Sequence, residues 1–195
     1  MKGRESGMPE ESWWESFFEA DGALDALLGK SPIDGDVVEF GCGYGTFRLP
    51  AAQRTRGIVT ALDLEQEIIA LVRRKAAEMQ LKNIQCVQRD FVAEGTGLGT
   101  GSQVHAMIYN LLHLEAPVEL LLEAHRVLTP GGTLSVMHWR SDIPTPRGPS
   151  LDIRPRPEQC EKWLLEAGFS EVARVTLETS CPYHYGLMAS VSRQF

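Results

Sequence analysis

The sequence predicts an α/β fold, a mostly parallel sheet with helices on both faces. Three observations predict it. Short apolar runs alternate with amphipathic stretches along most of the chain. One such run, Val37–Phe40, leads straight into a glycine-rich turn, Gly41–Gly45. The next run closes on an acid, Asp63, 22 residues after Gly41. Strand, turn, helix, strand is the order of a βαβ unit.

The bulk numbers bound the answer. A chain of 195 residues fits one domain, and 43% apolar with 23% charged residues is a globular balance. A net charge of −7 argues against broad, non-specific nucleic-acid binding, which needs a basic surface. The densest basic run, Arg73-Arg74-Lys75, reads as a solvated helix face. Cys42, Cys86, Cys160 and Cys181 are scattered, with no C-x-x-C pair, which fits reduced thiols rather than a disulfide framework or a zinc site. No metal site is expected. No apolar run reaches the length of a membrane span, and the N-terminus lacks a signal-peptide core, so a cytoplasmic location is expected.

In order along the chain, Ser12–Leu28 reads as one helix, broken by Ser31-Pro32-Ile33-Asp34-Gly35. The first strand is Val37–Phe40, and a short helix follows from Thr46 to Thr55, with Pro50 tolerable only near its first turn. The second strand runs from Gly57 to Leu62. Glu65–Leu81 is an amphipathic helix with Ile68, Ile69, Leu71, Val72, Ala76 and Met79 spaced for burial. Ile84–Gln88 is a third strand, Gly95–Gly101 a loop, Val104–Leu111 a fourth strand, and Ala116–Leu128 a helix stopped by Pro130-Gly131-Gly132. Thr133–Trp139 is the fifth strand. Ser141–Pro157 holds five of the eleven prolines and reads as a long binding or lid loop. Glu158–Ala167 is the last helix, and Ser170–Glu178 with Tyr183–Val191 form an antiparallel hairpin.

The chemistry is carried by Glu39-Phe40-Gly41-Cys42-Gly43-Tyr44-Gly45-Thr46. Alternate glycines let the backbone turn sharply and approach a ligand, and the following helix offers free N–H groups. An acid at the end of the next strand, here Asp63, accepts ribose hydroxyls in such units. The spacing is G-x-G-x-G, not the G-x-G-x-x-G of dinucleotide enzymes, and Glu39 stands in front of it. A carboxylate there repels a pyrophosphate and suits a ligand bearing an ammonium and a sulfonium.

This run resembles the first motif of the class I S-adenosylmethionine (SAM)-dependent methyltransferases, and the likeness extends from about Asp36 to the end. Ala61-Leu62-Asp63-Leu64 resembles the family's second acidic strand end. Arg89-Asp90-Phe91 resembles its adenine-contacting segment, and His125–Gly132 the turn before its fifth strand. The resemblance implies a three-layer Rossmann-like sandwich with a seven-stranded sheet of order 3-2-1-4-5-7-6, the last strand antiparallel. It implies residues 1–35 as an N-terminal helical lid and 36–195 as the SAM-binding domain. It places Glu39 near the methionine ammonium and Gly41, Cys42, Gly43, Tyr44 and Gly45 along methionine and ribose. Asp63 falls on the ribose, Leu64 on the adenine face, Asp90 and Phe91 at the adenine edge and face, and Asn110 beside the methionine.

The implied function is methyl transfer to a small molecule by a monomer or homodimer, without membrane or nucleic-acid partners. The alternatives are a protein or RNA acceptor, a non-catalytic SAM-binding domain, and an NAD-dependent oxidoreductase. The segment Asn110-Leu111-Leu112-His113 lacks the Pro-Pro-aromatic pattern of families that methylate exocyclic amines. SAM is already activated, so no fixed catalytic residue is required. His113 and His138, at the ends of the fourth and fifth strands, are candidates for a base or an acceptor-orienting group, against a plain local hydrogen-bonding role. His184 and Tyr185 are further candidates for the edge of the same cleft. Trp13, Trp14, Phe17 and Phe18 suit a lid or simple packing, and Arg147, Arg154 and Arg156 an anionic acceptor or solvent.

Overall fold

The computed structural model describes residues 9–193. Residues 1–8 of the expected lid segment lie outside the described residues. Seven strands form one sheet: β1 (Val37–Phe40), β2 (Val59–Asp63), β3 (Ile84–Gln88), β4 (Gln103–Tyr109), β5 (Leu128–Trp139), β6 (Ser170–Val175) and β7 (His184–Ser190). Their order is β3-β2-β1-β4-β5-β7-β6. Pairing is parallel from β3 to β5, and β7 runs antiparallel to both β5 and β6.

Alternation along the strands sorts side chains to two faces. Val37, Val59, Met107 and Tyr109 pack on one face with α2 (Ala20–Leu28) and α3 (Arg48–Arg54). Ala61 and Cys86 continue that face under α4 (Gln66–Glu78). Val38, Phe40, Leu62, Ala106 and Ile108 face the other way, against α6 (Pro117–Val127) and α7 (Pro157–Glu166). The result is three layers around a fully buried β1.

Three local predictions need correction, and one short helix lies outside what the sequence predicts. Ser12–Leu28 is two helices, α1 (Glu11–Glu15) and α2. Glu19 breaks them apart: its side chain caps α2 at Gly22 N (2.7 Å), and its own N–H donates to Ser180 O (2.7 Å). The break lets Phe17 and Phe18 both reach Trp139 and lets Phe18 also meet Phe47. A short α5 (Phe91–Glu94), capped by Asp90, was not legible because four residues carry no period.

Pro130-Gly131-Gly132 is not a turn outside the sheet but an irregularity within β5. There the register against β4 jumps between Gln103 and His105, and Val191, just past the end of β7, supplies the bonds Gly131 N to Val191 O and Val191 N to Gly132 O. The basic run on α4 is largely engaged: Arg73 donates to Cys86 O, and Lys75 contacts α1, leaving Arg74 exposed.

Candidate active site

The carboxyl ends of β1, β2, β3 and β4 open on one cavity of about 430 Å³. Parallel strands bring these ends to one edge, and the crossing from β1 to β2 on one side and β4 on the other leaves a crevice there. Gly41 follows β1 at φ +68°, where a Cβ would stand 3.0 Å from Leu111 Cδ1, so the turn needs glycine. Cys42 N donates to Leu62 O (3.0 Å), which fastens the loop to β2. Gly43 N donates to Asp63 Oδ2 (3.1 Å) and Glu65 N to Asp63 Oδ1 (3.1 Å). The acid at the end of β2 is thus oriented by two backbone donors and still lines the cavity.

Of the residues picked from the sequence, Glu39, Gly41, Cys42, Gly43, Tyr44, Asp63, Leu64, Asp90, Phe91 and Asn110 all line this cavity. Gly45 does not. At φ +85° it closes the loop, with Gly45 N on Cys42 O and Gly45 O accepting from Leu49 N at the start of α3. His113 lines the cavity, whereas His138 is fully buried behind it. His184 and Tyr185 also lie off the wall. His184 is buried between Phe18 and Trp139, and Tyr185 OH donates to Pro155 O.

Glu39 is not the lone carboxylate that the sequence implies. Its charge is met by Arg48, which has no exposed surface. Arg48 Nε lies 2.9 Å from Glu39 Oε2, its Nη2 contacts the same oxygen, and Nη2 also donates to Cys42 O (2.9 Å). Burial pushes the Glu39 carboxyl upward, against the pull of the guanidinium. The pair ties the strand end to the glycine loop. Among the described residues no donor reaches Glu39 Oε1, which leaves that oxygen for a ligand.

Two buried polar atoms on the wall have no partner among the described residues: Thr46 Oγ1 and Asn110 Oδ1. Buried polar atoms are normally paired, so both fit a polar ligand group. Asn110 also holds φ +60°, a conformation asparagine tolerates, with its N–H on Met137 O (2.7 Å). The sequence marks Thr46 only as the start of a helix.

The cavity is covered from two sides. From α1, Trp14 lines it, and Tyr44 OH donates to Pro9 O (2.5 Å). Lys75 joins α4 to α1 through Glu11 and Glu15 and also donates to Tyr44 O (3.0 Å). From the proline-rich segment, Arg147, Gly148, Pro149 and Ile153 line the cavity. That segment is held by Arg154, which donates to Pro149 O, Arg140 O and Arg147 O, so Arg154 is a strut and not a free cation. Arg147 lies over the Trp13 ring at 5.9 Å, linking the two covers. Arg156 is not on the cavity wall.

Residues 37–132 match the family model described as a methyltransferase domain. A protein of transposon TN4556 from Streptomyces fradiae, described as an uncharacterized 37.1 kDa protein, is 33% identical over 139 residues. That match covers 67% of this chain and 36% of the relative, so the chain spans about a third of the curated relative's length. A SAM-dependent methyltransferase from Aquifex aeolicus superposes with a TM-score of 0.76 at 20% identity, over 93% of this chain and 94% of that one. One from Mesorhizobium loti gives 0.67 at 19%, over 88% and 99%. These two likenesses show the shared fold. Its domain match, together with the 3-2-1-4-5-7-6 sheet and the glycine loop set against Asp63, makes this chain a member of the class I SAM-dependent methyltransferase family.

Proposed function

We propose that the chain transfers the methyl group of SAM to a small-molecule acceptor. The observation that carries this reading is that the glycine loop, Asp63, Trp14 and the Gly148–Pro149 turn line one covered cavity. An acceptor that reaches the loop must fit beneath α1 and the proline-rich segment, which favours a small molecule over a folded protein or RNA. When bound, SAM supplies an activated methyl group, so the protein's task is to align the acceptor and exclude water.

In this reading Asp63, preset by two backbone donors, accepts the ribose hydroxyls. Leu64 and Phe91 flank the adenine, and Asp90 meets its edge. Gly41, Cys42, Gly43 and Tyr44 follow the methionine and ribose. Glu39 Oε1, Thr46 Oγ1 and Asn110 Oδ1 are the unpaired acceptors on hand for the methionine ammonium.

Calorimetry with SAM, S-adenosylhomocysteine and NAD tests the cofactor, and heat with NAD alone would end this reading. Metabolite extract incubated with methyl-labelled SAM tests the acceptor class: label in a small product is expected, and label only in protein or RNA would redirect it. Asp63→Ala should weaken SAM binding by about 1–3 kcal/mol, the scale of a lost buried hydrogen bond to a charged group.

A further inference from the structure

The two histidines at the sheet's ligand-facing edge are in contact. His113 Nδ1 lies 3.2 Å from His138 Nε2, with the rings edge to face at 71° and centroids 5.4 Å apart. The other nitrogen of His138, Nδ1, lies 3.2 Å from Trp139 O. A carbonyl oxygen only accepts, so His138 Nδ1 carries hydrogen. Burial pushes His138 down to about 3, so it is neutral at pH 7 and its Nε2 is a lone pair. The hydrogen between the rings therefore belongs to His113 Nδ1.

Burial, aided by the Arg154 cation, also holds His113 below the usual imidazole range. Its remaining nitrogen, Nε2, is then an unprotonated lone pair. Among the described residues nothing hydrogen-bonds to it, and His113 lines the cavity. The charged groups on the same wall are Glu39, Asp63, Arg89, Asp90 and Arg147, while His184 and Tyr185 of β7 stand behind or beside His138.

We propose that His113 Nε2 is the general base that takes the proton of the methyl acceptor, and that His138 is a positioning residue that fixes its tautomer. This rests on the methyl-transfer reading above. As the acceptor oxygen bonds to the methyl carbon, the carbon–sulfur bond breaks and its electron pair stays on sulfur. The hydroxyl proton passes to Nε2, and the imidazolium returns it to solvent. A base weaker than ordinary histidine suits an acidic hydroxyl better than an aliphatic alcohol. Trp14, Tyr109 and Trp139 offer aromatic walls in the same cavity. The acceptor class this selects is a flat molecule with a phenolic or enolic hydroxyl. A thioether or tertiary amine, with no proton to lose, makes no use of His113.

Long-range proton–nitrogen correlation spectra of the ¹⁵N-labelled full chain, without ligand, read the tautomer directly. His113 is expected with hydrogen on Nδ1 and a bare Nε2; hydrogen on Nε2 would overturn the proposal. With SAM and a panel of simple phenols, His113→Gln should lower the methylation rate about 100-fold or more. SAM affinity by calorimetry should change less than about two-fold. The wild-type rate should rise with pH along a limb below 6.5 that the variant lacks. A variant with full rate, or an unchanged pH profile, would sink the proposal. Absence of heat with SAM would sink the methyl-transfer reading as well, whereas a wrong tautomer would sink only the role of His113.

Discussion

Arg48 shows how one residue can shape a binding loop without touching a ligand. A buried guanidinium is tolerated only when its charge and donors are met, and Glu39 Oε2 and Cys42 O meet two of its three nitrogens. Removing one partner leaves the other charge buried and alone. Arg48→Met should therefore cost about 3–5 kcal/mol in urea unfolding, while Arg48→Met combined with Glu39→Gln should recover much of that loss. A single variant as stable as wild type would mean the pair is not holding the loop. The pattern around this residue is readable in the sequence. Arg48 sits at the i, i+3, i+4 positions with Ala51 and Ala52, all buried. An arginine on the apolar face of a short helix calls for a buried acid, and Glu39, inside Val37-Val38-Glu39-Phe40, is the one that meets it.

At the scale of elements, α1 stands out because it buries none of its own five residues. Its position over the glycine loop depends on contacts from outside: Lys75 to Glu11 and Glu15, and the Trp14 ring against Phe18 and Trp139. Partly exposed pairs of this kind are worth about 0.2–1 kcal/mol each, so Lys75→Met should barely move global stability. It should instead speed amide exchange within α1 several-fold and raise the SAM dissociation rate, read by exchange mass spectrometry and stopped flow. Unchanged exchange in α1 would show that the aromatic contacts alone hold it.

Elements of regular period were legible from sequence, among them β3, whose bounds agree with Ile84–Gln88, and the core of α4. Elements set by tertiary contact were not. The split of α1 from α2 follows from Glu19 pairing with Ser180, far along the chain, and the length of β5 follows from Val191, just past β7, bonding to Gly131 and Gly132. The wall of the site was legible at the strand ends because topology fixes where they meet. Thr46 and Trp139 needed coordinates, since nothing in their local pattern marks them as facing a cavity.

Across the whole molecule, three of the five histidines are buried in the interior. His105 lies on β4 between Thr133 Oγ1 (2.7 Å) and Ser135 Oγ (2.9 Å), and burial pushes it down to about 3. His138 on β5 is pushed equally low, and His184 on β7 is held well below the ordinary range, both chiefly by burial. All three are buried on neighbouring strands of one sheet, β4, β5 and β7, so charging any of them works against the packing of that half of the molecule. The direction follows from linkage. Each group binds its proton more tightly in the unfolded chain, whose value is near 6.5, than in the folded one. Their contribution to stability is therefore full above pH 6.5 and falls as pH drops from there, toward 3 for His105 and His138. Each histidine removes about 1.4 kcal/mol per pH unit within that window. Set against a total of about 5–15 kcal/mol for a domain, three such groups should bring the fold close to its limit well before carboxylates protonate. Urea midpoints measured from pH 8 to pH 4.5 should stay level down to about 6.5 and then fall steeply. His105→Asn should flatten that fall by about a quarter to a third, since His113 is also held below the ordinary range and one of four depressed sites is gone. A urea midpoint that held constant down to pH 5 would mean that these imidazoles are reached by water and protonated inside the folded protein.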